Sequence, residues 1–287
     1  MNAPLDIETL LAYQIATTRD DYDPRDVILY ALGVGAGLSP EIDETTFLFE
    51  RQLQVLPTMA LVLGTPGFWP MDPKTGLDWI NILHGEQRLK LLEPLDTFGA
   101  LLGEARVTGF ADKGPGKSAL VQVSKEIKTP GGRLVAETSE VWIVRGAGGF
   151  GGSSYLAETP LPQTPDRDPD FEVTLPTSIT QAVTYRLSGD RNPLHVDPVT
   201  ARKAGHDRPI LHGLSTKGVV ARALIHACCE GAAHRLREIA VRFSAPVLPG
   251  DTIRTYIWQD GVSLRFCADA IERSVRVIDN GVAKIQF

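Results

Sequence analysis

Apolar positions along the chain change their spacing several times, and each change marks an element. In "DPRDVILYAL", from Asp23, they recur on one helical face, with Asp23 as N-cap and Pro24 in the first turn. "LPTMALVLG", from Leu56, predicts a second helix that Thr65-Pro66-Gly67 ends early, because Pro and Gly stop helices. The spacing then shortens to two. "LLGEARVTGFA", "SALVQVSKEIKT" and "LVAETSEVWIVR" alternate or run β-branched between "DKGPG" and "PGG" turns, as antiparallel strands do. The same order then begins again. "SITQAVTYRL" reads as a helix capped by Thr177, and "HGLSTKGVVARALIHACCEGA" holds the longest apolar helix, around residues 213–230. "EIAVRFSAPV", "DTIRTYIWQ", "VSLRFCADAI" and "RSVRVIDN" follow as strands, broken by "DG" and "NG" turns. Each half is an α+β unit whose sheet must lay one face on a helix, and the long helix is the natural body for it to wrap.

The halves also match residue by residue. "YALGVG" at Tyr30 corresponds to "YRLSGD" at Tyr185 (185 − 30 = 155), "VLPTM" at Val55 to "ILHGL" at Ile210 (210 − 55 = 155), and "EPLDT" at Glu93 to "LPGDT" at Leu248 (248 − 93 = 155). Three matches at one offset indicate a duplication. Residues 146–170, rich in Gly, Pro, Ser and Asp, form the expected linker between an N-terminal unit (1–145) and a C-terminal unit (171–287). Within it "GAGGFG" satisfies the G-x-G-x-x-G spacing of a dinucleotide loop. Such a loop must open a helix, and Pro160, Pro162 and Pro165 follow instead, so the nucleotide reading is rejected.

The 287 residues are 43% hydrophobic and 22% charged, a composition able to build a core, and the net charge of −6 with scattered Lys and Arg argues against nucleic acid or a basic membrane surface. Cys228, Cys229 and Cys267 show neither disulfide nor metal spacing; a reducing compartment and core-filling roles are expected. "MNAPLDIETLLAYQ" has no basic n-region or long apolar core, no run is long enough to span a bilayer, and "AKIQF" is not a Ser-Lys-Leu address. The expectation is a cytoplasmic protein.

The candidate chemistry lies in "YRLSGDRNPLHVDP", residues 185–198. Gly189 and Asn192 allow unusual backbone angles and Pro193 stiffens the bend, so Asp190 and His195 can face one small site. An isolated pair of this kind would more often be a turn cap and a packed histidine. The repeat argues otherwise: the first half has Gly35 in place of Asp190 and Pro40 in place of His195 while keeping the Tyr and Leu around them. A purely structural pair would be wanted in both halves. A buried carboxyl and imidazole sharing one water make a suitable acid–base couple. Gly213, where the long helix begins, offers free N–H groups and the helix dipole to developing negative charge; an ordinary N-cap glycine would have the same look. His206, His226 and His234 read as structural or exposed.

"YRLSGDRNPLHVDPVTARKAG" closely resembles the signature of the (R)-specific enoyl-CoA hydratases, the MaoC-like or hydratase 2 group: an aromatic residue, Ser-Gly-Asp-x-Asn-Pro-Leu-His, and a small residue, Ala201, six positions further on. "YALGVGAG", "LPTMALVLG", "ILHGEQRLKLLEPL", "DKGPG", "GGFGG" and "PILHGL" extend the resemblance over nearly the whole chain, to the hydratase 2 domain of peroxisomal multifunctional enzyme type 2. It implies a double hot-dog fold, two fused repeats of a long helix wrapped by an antiparallel sheet, with only the C-terminal repeat catalytic. It implies reversible syn addition of water to trans-2-enoyl-CoA, giving (3R)-3-hydroxyacyl-CoA, with no metal or redox cofactor and with coenzyme A as part of the substrate.

By the same resemblance Asp190 and His195 activate the water, Asn192 orients the pair and the Gly213 N–H binds the thioester oxygen. Arg191, Pro193 and Leu194 belong to the substrate-binding stretch, and His84, Gly85, Lys113 and Phe243 line the CoA and acyl path. The shortened helix of the first repeat implies room for medium to long or bulky acyl groups. A hot-dog thioesterase and a non-catalytic acyl-CoA-binding subunit are the alternatives, and exposed sheet edges make a homodimer the expected assembly.

Overall fold

The computed structural model describes residues 4–287. Its helices are α1 (Ile7–Ala12), α2 (Pro24–Gly33), α3 (Gln181–Tyr185), α4 (Pro198–Lys203) and α5 (Gly213–Cys228). Its strands are β1 (Thr18–Tyr22), β2 (Ile82–Leu91), β3 (Gly99–Asp112), β4 (Ala119–Lys128), β5 (Leu134–Val144), β6 (Phe171–Pro176), β7 (Leu236–Phe243), β8 (Thr252–Asp260), β9 (Ser263–Ala270) and β10 (Val275–Ile285).

These strands form one continuous sheet in the order β1-β3-β4-β5-β2-β7-β10-β9-β8-β6, every pairing antiparallel. The order reads the same from either edge: β1, β3, β4, β5, β2 correspond to β6, β8, β9, β10, β7. The seam between the halves is the β2–β7 pair, from Glu86 opposite Arg242 to Lys90 opposite Glu238. One apolar core runs across that seam, and α5 is its centre: Val219, Val220, Ala221, Ala223 and Leu224 have no exposed surface. A helix buried over nearly all of its length needs cover on most of its faces, and the curled sheet supplies it.

The first half lacks a counterpart. "LPTMALVLG" forms only a 3-10 turn, Pro57–Leu61, where the sequence pattern predicts a helix. Gly64 then turns left-handed (φ 61°) with its Cα face against Gly103 of β3; a Cβ there would lie 2.5 Å from the Gly103 nitrogen. Lys125 finishes the job. Its Nζ donates to the Leu61 carbonyl (3.0 Å), the Leu63 carbonyl (2.8 Å) and Thr65 Oγ1 (2.8 Å), satisfying acceptors that another helical turn would have taken.

The Asp23–Pro24 start of α2 is as expected: Asp23 accepts from Arg25 and Asp26, and Asp26 returns the bond to Asp23 N–H. Thr177 is not a helix cap. Its hydroxyl donates to the Asp251 carbonyl (2.7 Å) and accepts from Gly250 N–H (3.0 Å), tying down the β7–β8 turn, and α3 starts later, behind Thr180. Asn280-Gly281 is no turn either. β10 runs through it, with a bulge between Asp279 and Val282 and Asn280 at φ 53°, so the same left-handed preference that makes hairpins makes a kink instead. Gly281 is required there because a Cβ would fall 2.3 Å from the Phe266 ring.

"GAGGFG" binds its own chain. The Asp112 carboxylate accepts from the N–H groups of Gly114 (2.7 Å), Gly149 (2.8 Å) and Gly151 (2.5 Å), which hold its pKa below the usual range, and no helix follows.

Candidate active site

The bend predicted to carry chemistry packs against the N-terminal tip of α5. Gly189 takes φ 124°, which its lack of a Cβ permits. Asp190 Oδ1 accepts from Asn192 N–H (3.2 Å), and Asn192 Oδ1 accepts from Leu194 N–H (3.0 Å), capping the 3-10 turn Pro193–His195. Asn192 thus shapes the loop that presents the pair. His195 is buried, and its Nδ1 lies 2.9 Å from the Ile210 carbonyl. A carbonyl only accepts, so Nδ1 carries the proton and Nε2 keeps a free lone pair. Burial pushes the His195 pKa below its ordinary value; the Asp190 charge opposes this and loses.

His212, the N-cap residue of α5, was not singled out in the sequence. Its ring stacks on His195 with centroids 3.7 Å apart, and its Nε2 donates to the Asp190 carbonyl at 3.2 Å. One oxygen of Asp190 and one nitrogen each of His195 and His212 lie within 4.8 Å of one another. That is a metal-like donor spacing, but the rings are inclined by only 27°. A cation about 2 Å from both nitrogens would sit well out of one ring plane or the other, which is poor coordination geometry. Burial and the neighbouring His195 also force the His212 pKa well down.

His212 gives α5 no side-chain cap, so the first N–H groups of the helix are free for a ligand. Gly213 lies close under Phe243, whose ring would meet a Cβ there at a tight 3.3 Å. Phe243, at the end of β7, stands edge-on to His84 of β2 with centroids 4.9 Å apart. Gly85 follows at a bulge in the β2–β5 pairing. Burial, reinforced by the Lys217 charge, lowers the His84 pKa to about 4. Lys113 donates to the Ser154 carbonyl at 2.5 Å and lies over the Tyr155 ring.

A cavity of about 1140 Å³ connects these groups. It touches Asp190, Asn192, Leu194, His195, Gly213, His84, Gly85, Lys113 and Phe243. Arg191 is exposed, and neither it nor Pro193 lines the cavity. His206 does line it, while His226 and His234 are exposed. The far wall comes from the first half: Leu61, Val62, Thr65, Pro66, Phe68 and Trp69, with Lys125 and Glu140 from β4 and β5.

Glu140 is the second residue that sequence reading missed. A signal was available, since Ala136, Thr138, Glu140, Trp142 and Val144 alternate on one face of β5 and a carboxylate interrupts an otherwise inward-facing set.

Two family models cover the chain in turn: the MFE-2 hydratase 2 N-terminal domain matches residues 21–146, and the MaoC-like domain matches residues 160–281. The crystal structure of a MaoC-like dehydratase from Phytophthora capsici superposes with a TM-score of 0.84 at 34% identity, covering 98% of this chain and 99% of that one. The sheet order, the central helix and the site at its tip therefore define a double hot-dog protein of the dehydratase class. The chain is 43% identical over 242 residues to 3-hydroxyacyl-thioester dehydratase Y of Mycobacterium tuberculosis (83% of this chain, 82% of that one). It is 35% identical to the peroxisomal enoyl-CoA hydratase 2 of Arabidopsis thaliana (94% of this chain, 93% of that one). The chain belongs to the MaoC-like hydratase 2 family.

Proposed function

We propose that this protein reversibly hydrates trans-2-enoyl-CoA to (3R)-3-hydroxyacyl-CoA, with medium to long or bulky acyl groups as substrates. The observation that carries this reading is the meeting of Asp190 and His195 over the bare N-terminus of α5, inside one cavity. Water is held between the carboxyl and the His195 Nε2 lone pair. Its oxygen bonds to C3 of the conjugated thioester as one member of the pair takes a proton. The C2–C3 π electrons move toward the thioester oxygen, which accepts from the Gly213 N–H at the positive end of the helix dipole. C2 then takes a proton from the pair, and the net change is one water added. Because the two groups act as a coupled couple, acid and base are properties of the pair. No electrons are gained or lost, so the step calls for no redox group.

The alkyl portion would lie along the first-half wall, in space opened by the loss of a central helix there. The exposed edge strands β1 and β6 support a homodimer. The three free, buried thiols fit a reducing cytoplasm, and no helix among the described residues is long and apolar enough to cross a membrane.

The test mixes protein with an enoyl-CoA and follows the conjugated absorbance alongside free thiol. Loss of absorbance without thiol is the expected result. Thiol release would make the protein a thioesterase, and no change would make it a binder. Asp190→Asn and His195→Gln should each lower turnover at least about 10²-fold, the low end for acid–base groups; near-normal rates in either would overturn the assignment.

A further inference from the structure

The first-half wall of the cavity mixes apolar side chains with polar ones, among them Thr65, Lys125, Thr138 and Glu140. Glu140 projects from the inward face of β5 with its side chain 28% exposed, and it lines the cavity. Its Oε2 stands 3.5 Å from His84 Nε2, a buried nitrogen with no hydrogen-bond partner. Neither group is used in the hydration step. Lys125, whose charge acts on Glu140, has all three N–H bonds committed to Leu61, Leu63 and Thr65, so it has none left to donate to the carboxyl. Phe243 stands edge-on to His84, the Trp142 side chain acts on the Glu140 carboxyl, and Leu61, Val62 and Phe68 line the same cavity.

A hydrocarbon chain pressed onto this wall would strip water from a carboxyl and an imidazole and return no hydrogen bond to either. An apolar residue at 140 would serve such a chain better. What satisfies both groups is a neutral function able to donate to one and accept from the other.

We propose that Glu140 and His84 form a specificity pocket for a hydroxyl group carried on the acyl chain beyond the reacting double bond. This deepens the hydratase reading and rests on it for the reaction, though not for the binding preference. Burial supports the pairing by moving the Glu140 carboxyl up to about 7 and the His84 imidazole down to about 4, so near neutrality a carboxyl protonated about half of the time faces a nitrogen able to accept.

The experiment uses medium-chain trans-2-enoyl-CoAs, one unsubstituted and the others hydroxylated at successive carbons past the double bond. kcat/KM is measured for the native protein, Glu140→Gln and Glu140→Leu. One hydroxylated isomer should be preferred by at least about tenfold, a modest value for a site built to bond a substrate hydroxyl. Glu140→Gln, which can still donate and accept, should keep most of the preference; Glu140→Leu should abolish it. Calorimetric titration with the matching saturated acyl-CoAs reads the same preference without turnover. If no enoyl-CoA is hydrated yet the hydroxylated ligand binds more tightly, the pocket stands and the reaction falls. Equal treatment of all isomers by the native protein, or an equal effect of Glu140→Leu on every ligand, would overturn the proposal.

Discussion

Replacing Arg222 with Met tests what joins the two halves. Arg222 projects from α5 and its side chain is 1% exposed. Nε donates to Glu44 Oε1 at 2.6 Å, Nη2 to Glu44 Oε2 at 2.5 Å, and Nη1 to the Val34 carbonyl at the end of α2 at 2.8 Å. Glu44 also accepts from Gly37 N–H at 2.8 Å, so it keeps one partner when the guanidinium is lost. Methionine fills similar volume and leaves a buried carboxylate with that single bond. Breaking a pair of this kind costs about 3–5 kcal/mol. At about 2.1 cal/mol/K per residue, a chain of this length unfolds with an entropy near 0.6 kcal/mol/K, so the melting temperature should fall by about 5–8 °C. The double change Arg222→Met/Glu44→Leu removes both charges and should recover most of that loss. Thermal denaturation followed by circular dichroism measures the native protein, Arg222→Met, Glu44→Leu and the double variant. A single variant within about 1 °C of native, or a double variant as unstable as both single changes added together, would refute the reasoning.

Other outcomes follow from the site. His195 must be neutral for its Nε2 lone pair to hold the water, and burial lowers its pKa, so kcat/KM should hold as pH falls past the ordinary histidine value near 6.5 and decline only below it; a midpoint at or above 6.5 would refute this. Glu140 has its folded pKa raised to about 7 from 4.5, so the native protein loses stability as pH rises from 4.5 through 7. Glu140→Gln should then gain on native by about 3 kcal/mol between pH 4.5 and 8, read as a widening melting-temperature difference; a constant difference would contradict it. Pro40→Ala, at the first-half position matching His195, should leave kcat unchanged, and a loss as large as that in His195→Gln would end the idea of a silent first copy. Gly64→Ala should destabilise strongly, since its Cβ would lie within 2.6 Å of the Gly103 backbone at a left-handed φ; an unchanged melting temperature would contradict that packing.

Most of the sheet was visible in the sequence because alternation and turn chemistry are local. β3, β4, β5, β8 and β9 fell where the pattern put them, and α5 was evident from an apolar run too long for anything else. Short β1 and β6 lack enough residues to show a period. β2 hides its own at the bulge around Gly85, where the pairing shifts. Thr177 and Asn280-Gly281 misled because one local preference serves several contexts: a hydroxyl caps a helix or a turn, and a left-handed residue closes a hairpin or bulges a strand. At the site, Asp190, His195 and Gly213 were legible through their bend and the helix start, with the first repeat, which has Gly35 and Pro40 at the matching positions, as an internal control. His212 was not, and Glu140 showed only as a carboxylate interrupting the inward face of β5. Each gains its meaning from contact across elements, His212 by stacking on a ring 17 residues earlier (212 − 195 = 17) and Glu140 by facing a cavity whose opposite wall belongs to the other repeat.

The palindromic strand order has a consequence for how such a protein diversifies. Two identical units meeting at β2 and β7 would be bound by their symmetry: a groove widened in one is widened in both, and a reactive couple kept in one is kept in both. A single polypeptide is released from that rule. One unit can give up its couple and its inner helix and become a liner for its neighbour's chamber.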